Sequence, residues 1–138
     1  GVADLPKWNP HVDYASIVVS LTNYSDIITY GNNDVLFISG RDFVTARIYR
    51  PFPSGFLLAS RSVVIESKPE REDKVRGNLH LAAVRLLPHP EDGERTLCDI
   101  VMLVDPMGMI PRFIVNQILP KIMRMDIEQN VRHFRDLA

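Results

Sequence analysis

Six short β-rich runs, each closed by turn-forming residues, followed by one long apolar stretch, restrict this chain more than any other feature. The runs are VDYASIVVS (12–20), YSDIITYG (24–31), DFVTARIYR (42–50), FLLASRSVVIE (56–66), RGNLHLAAVRLL (76–87) and RTLCDIVMLV (95–104). LTN, GNN, RPFPSG, KPERED and HPEDGE lie in the connectors and supply residues that bend or solvate a chain. Connectors this short join antiparallel neighbours, because a parallel crossover takes a dozen or more residues. The expected fold is therefore α+β: an antiparallel meander with one C-terminal helix laid across a face of a curved sheet.

The stretch DPMGMIPRFIVNQILP (105–120) encodes the corner between sheet and helix. Gly108 permits the turn, and Pro111 suits a first helical turn, where its missing N–H would be unsatisfied in any case. A helix from Pro111 to about Leu137 would be about 40 Å long at a rise of about 1.5 Å per residue. In its first half Ile114, Val115, Ile118, Leu119, Ile122 and Met123 cover about half the circumference at about 100° per residue. One sheet face does not need so wide a surface, so something else should touch it. Pro120 falls inside this helix and clashes with the carbonyl of Asn116, which predicts a kink, or two shorter helices meeting there.

At 138 residues the chain is long enough for one domain with a core. Its 16 basic and 17 acidic residues nearly cancel, so no overall field favours nucleic acid or an anionic membrane. The single cysteine, Cys98, lies in an apolar run, which excludes an intrachain disulfide and a thiolate metal cluster and fits a small core residue. No apolar stretch reaches membrane-span length, and GVADLPKWNP lacks the pattern of a signal peptide. Catalytic and nucleotide signatures are absent: there is no GxSxG elbow, no HExxH pair, no GxGxxG and no GxxxxGK[ST]. No metal, cofactor or enzymatic role is expected.

Three segments, WNPHV (8–12), GRDFVTAR (40–47) and VDPMGMIPRFIVNQIL (104–119), resemble the steroidogenic acute regulatory protein-related lipid-transfer family, the START domains. The likeness runs in the family's order over nearly the whole chain. It implies a helix-grip fold, in which the sheet curls around the last helix and leaves a hydrophobic tunnel for one lipid. The wide apolar helix face would then be shared between sheet and lipid. Family members span about 200 residues and begin with a helix and three strands, so residues 1–138 match the C-terminal two thirds. Without those strands an open sheet edge is expected, which invites homodimer formation.

Arg47 shares strand parity with Phe43, Thr45 and Tyr49, so these four line one face. Through the resemblance that face would line the tunnel, where a guanidinium could hold a sterol hydroxyl or a phosphate. A buried Arg47 needs a carboxylate, and Asp99, mid-strand in an apolar run, is the candidate, ahead of Asp26 and Asp34. Sterol-binding members place an acidic residue on the preceding strand, a position that simple alignment gives to Ile28, which argues against a sterol. His80 matches a tunnel-lining histidine within one position. Met123, Ile127 and Val131 are expected to face the lipid, and Val35, Leu36, Phe37 and Ile38, with Pro120, to form a gate that touches a bilayer. Arg41 and Asp42 would fix loop geometry, and His11, His89 and His133 would have no special role.

The functional expectation is a non-enzymatic module that binds one lipid of the sterol, phospholipid or ceramide class. It would transfer or sense that lipid in the cytoplasm or peripherally at membranes. The alternatives are a lipid-sensing regulatory module of a larger protein, and a cyclase or hydrolase on the same scaffold built from Arg47, His80 and Asp99.

Overall fold

In β3 the alternation Phe43, Thr45, Arg47, Tyr49 turns one set of side chains to the inner face and Val44, Ala46, Ile48 to the outer one, and each neighbouring strand repeats the pattern. The computed structural model describes residues 1–137. A 3-10 turn, Val2–Asp4, and one helical turn, α1 (Leu5–Trp8), precede the sheet. The strands are β1 (Val12–Thr22), β2 (Ser25–Asn32), β3 (Arg41–Phe52), β4 (Gly55–Ser62), β5 (Val75–Arg76), β6 (Asn78–His89) and β7 (Asp92–Asp105). A π-helical turn, Ile114–Ile118, runs into the long helix α2 (Leu119–Asp136). The sheet order is β1-β2-β3-β4-β6-β7, antiparallel throughout, with the two-residue β5 pairing parallel to the start of β3.

The expected meander is thus present, with two corrections. The run 56–66 leaves the sheet after Ser62, and Val64 is fully exposed in the loop beyond it. The run 76–87 is broken at Gly77, where an added Cβ would lie within 2.4 Å of the Phe43 ring. Only glycine lets the aromatic ring and the backbone approach so closely. Phe43, Leu79 and Ala82 then form a small buried cluster, with Tyr30 and Val104 packed against it.

The break associated with Pro120 takes the form of a wide turn. The Leu119 N–H donates to the carbonyl of Ile114, five residues back, so the helix widens just ahead of the proline instead of stopping. Ile114 is fully buried, Ile118, Leu119 and Ile122 are half-buried, and Val115 and Met123 are exposed.

Beyond this turn the N-terminal segment holds α2. The Trp8 ring stacks on His133 with centroids 4.1 Å apart, and Phe134 meets Trp8 edge-on at 6.1 Å. Buried Asn9 donates through Nδ2 to Asp126 Oδ1 at 2.6 Å, while its Oδ1 accepts the His11 N–H at 3.0 Å. Gln129 Nε2 donates to the Trp8 carbonyl at 3.0 Å. His133 therefore has a packing role that its dispersed position in the sequence did not suggest.

Candidate functional site

The register of β2 on β3 sets Asp26 directly opposite Arg47, on the inner face. Their side chains are only 11% and 15% exposed. Arg47 Nε donates to Asp26 Oδ1 at 2.8 Å and Nη2 donates to Oδ2 at 2.7 Å, a bidentate fork. The Tyr49 hydroxyl donates to the same Oδ2 at 3.0 Å, and the guanidinium lies 5.1 Å from the Tyr49 ring centroid. Hydrogen bonding from Arg47 holds the Asp26 carboxyl below the usual carboxylate range, against the opposing effect of burial. Burial, followed by the bond to Asp26, pushes the Tyr49 phenol up to about 12.

The carboxylate of Arg47 is thus Asp26, which corrects the expectation for Asp99. Asp99 stands opposite Arg85 on the outer face and pairs with it there. Asp34 is engaged elsewhere, accepting the Gly40 N–H through Oδ1 at 2.6 Å. His80 occupies the register shift between Leu79 and Leu81, where it is exposed beside Asn78. That bulge turns Leu79 inward and carries His80 out of the inward series.

Beside the pair the inner face carries two hydroxyls, Thr45 and Ser60, the latter directly opposite Arg47, and it is apolar farther out. Thr45 and Phe43 are buried next to it on β3, and the register continues through Leu58 on β4, Val84 on β6 and Ile100 and Met102 on β7. Ile100 and Met102 are exposed, as are Met123, Ile127 and Val131 along one flank of α2. Tyr30 stacks on Phe43 with centroids 5.2 Å apart, and burial pushes its phenol up to about 12. Asp126 on α2 is tied by the bond from Asn9 to the segment that leads into β1.

Two loops lie side by side, both within reach of the Arg41 guanidinium. In residues 34–40, Val35 and Ile38 exchange backbone hydrogen bonds at 3.0 Å, and Leu36 sits at the tip with φ +57°. Leu36 and Phe37 are 76% and 78% exposed. In the second loop Met107 and Gly108 take φ values of +53° and +73°, and Met109 is fully exposed.

The curved sheet, the C-terminal helix and the inner-face ion pair can be set beside known proteins. The START domain profile matches residues 2–138. The chain belongs to the START domain family. Among curated relatives, steroidogenic acute regulatory-like protein 1 of Caenorhabditis elegans is 51% identical over 99% of this chain and 53% of its own length. The steroidogenic acute regulatory protein of Xenopus laevis is 28% identical over 91% of this chain and 45% of its own length. The chain therefore spans about half the length of the curated relatives it matches. The START fold is evident in the crystal structure of human STARD10, with a TM-score of 0.80 over 97% of this chain and 56% of that one at 22% identity. Human StAR-related lipid transfer protein 5 gives 0.78 over 94% of this chain and 64% of that one at 20% identity. The helix-grip arrangement expected from the sequence is the fold of this START chain.

Sequence reasoning missed Asp26 as the main partner, and missed the Trp8, Asn9 and Asp126 network. Asp26 had a usable signal, since it and Ile28 share a strand face; the acid is displaced by one inward position along β2. The register that sets it against Arg47 depends on the conformation of the connector 33–40, which no local pattern gave.

Proposed function

We propose that this domain binds one lipid between the inner face of the sheet and α2, and carries it between membranes. The observation that supports the reading best is the largely buried Arg47–Asp26 pair on the inner face, with apolar residues on the strands beyond it. Asp26 neutralises the guanidinium, yet Arg47 Nη1 forms no hydrogen bond among the described residues. A neutral site with a spare N–H donor suits a lipid whose head is a single hydroxyl or carbonyl, because a phosphate would bring charge that the pair has already cancelled. Among the expected classes this favours a sterol, and the earlier objection from Ile28 falls away once Asp26 supplies the acid.

Burial of the lipid's apolar body would drive binding, at about 25 cal/mol per Å² removed from water. Leu58, Val84, Ile100, Met102, Met123, Ile127 and Val131 offer the lining. The tips at Leu36, Phe37 and Met109 would touch the bilayer during exchange, with the loop 34–40 and the wide turn before Pro120 as moving parts. No described helix is long and apolar enough to cross a membrane; the membrane contact proposed here is a peripheral one made by these loop tips.

Native mass spectrometry of the purified protein, incubated with liposomes of mixed sterol, phosphatidylcholine and ceramide, tests this reading. One sterol per chain is the expected adduct, lost in Arg47→Met. A phospholipid or ceramide adduct would replace the ligand class, and a lipid-free mass from folded protein would overturn lipid binding by this domain.

A further inference from the structure

Arg41 is half-buried yet pairs with no carboxylate among the described residues. Its guanidinium instead donates to three main-chain carbonyls on two loops that are far apart in sequence. Nη1 reaches the Ser39 oxygen at 2.6 Å, at the end of the first loop. Nε reaches Pro106 at 2.9 Å and Nη2 reaches Met107 at 2.8 Å, both in the second. A planar fork with donors in three fixed directions can hold such an arrangement, whereas an ammonium cannot reproduce it.

Each loop also carries its own fastening. Asp34 accepts the Gly40 N–H at 2.6 Å, and Asp105 accepts the Met107 N–H at 2.8 Å. These bonds are local and leave the loops independent of one another. Arg41 is the side chain that joins them. The junction is tight: a Cβ on Gly108 would lie 3.2 Å from Arg41 Nη2 and 3.4 Å from Val75 Cγ1. Both loops hold a non-glycine residue in the left-handed region, Leu36 and Met107, which persists only where surrounding contacts impose it. Both present bare apolar side chains, Leu36 and Phe37 on one and Met109 on the other.

We infer that Arg41 is a positioning residue that clasps the two apolar loops into one unit, so that they meet a lipid surface together and part only when the clasp is broken. The inference rests on the membrane contact proposed above and adds how that contact is organised. Release of three hydrogen bonds from one side chain would let the loops separate and open the gap between them. The burial that lowers the pKa of Arg41 has no carboxylate to offset it, which fits a group able to leave its carbonyls for solvent or lipid headgroups.

The test uses the whole chain with Cys98→Ser and labels introduced at Phe37→Cys and Met109→Cys. Spin labels at both sites should give one narrow distance distribution, broadened in Arg41→Gln and partly in Arg41→Lys. Gly108→Ala, which presses on the clasp without removing it, should broaden the same distribution while Arg41 stays in place. Environment-sensitive fluorophores placed singly at the two sites should respond to vesicles of phosphatidylcholine and phosphatidylserine with the same midpoint. In Arg41→Gln the two midpoints should separate by at least about threefold, because uncoupled loops no longer share their binding free energy. A distance distribution unchanged by all three substitutions would sink the clasp, whatever the vesicles do. Fluorophores that ignore vesicles while the distributions broaden as expected would instead remove the membrane reading and, with it, the lipid surface as the purpose of the coupling.

Discussion

Asp26 and Arg47 illustrate how much one residue can depend on another. With both side chains mostly buried, removing one charge leaves the other largely out of water and unpaired, at a cost of about 3 kcal/mol. Asp26→Asn should therefore lower the urea midpoint clearly, whereas Asp26→Leu combined with Arg47→Met should recover much of the loss and still bind no sterol. Equal destabilisation in the single and double variants would mean that the pair is not the linked unit described here. The pair also sets a pH dependence. Because the folded Asp26 pKa is depressed, its contribution is fully present above the unfolded value of 3.8 and is lost as pH falls through the lower folded value. Between about pH 5 and about pH 3 the wild-type midpoint should fall more than that of Asp26→Asn.

Helix α2 is secured differently at its two ends. Toward its start the wide turn at Ile114–Ile118 relieves Pro120 and buries Ile114, and toward its end Trp8 and Asn9 grip His133, Asp126 and Gln129. These two attachments make separate predictions for one element. Trp8→Ala removes a stacked aromatic contact worth about 1–3 kcal/mol with its buried area, so amides over 129–136 should exchange about 10- to 100-fold faster while β3 and β4 are unaffected. Pro120→Ala, which restores a hydrogen-bond donor, should tighten the turn and slow lipid transfer between vesicles. Unchanged amide exchange in the first variant, or unchanged transfer in the second, would remove the corresponding attachment from the mechanism.

At the scale of the molecule, β7 is the terminal strand of the sheet, and Val101 and Leu103 on its outer face are each 61% exposed. An apolar edge of this length is a template for another strand. A homodimer through β7 is our proposal for the isolated chain. Sedimentation should reveal concentration-dependent association, weakened at least about tenfold by Val101→Lys with Leu103→Lys, and a monomer at all concentrations would exclude it. Much of the architecture was legible before any coordinates. Period-2 runs such as 42–50, short polar connectors, and the Gly108–Pro111 corner are local signals, and they determined an antiparallel sheet ending in one helix. The parity of Phe43, Thr45, Arg47 and Tyr49 was local too, because side chains alternate within a strand whatever lies beside it. Which carboxylate meets Arg47 was not local: it follows from the register of β2 on β3, and a shift of one residue would have turned Asp26 to the other face. The bulge that exposes His80, the grip of Trp8 on His133 across 125 positions and the reach of Arg41 to Met107 are of the same kind. Such contacts join segments whose separation along the chain carries no period, so only the packed fold could decide them.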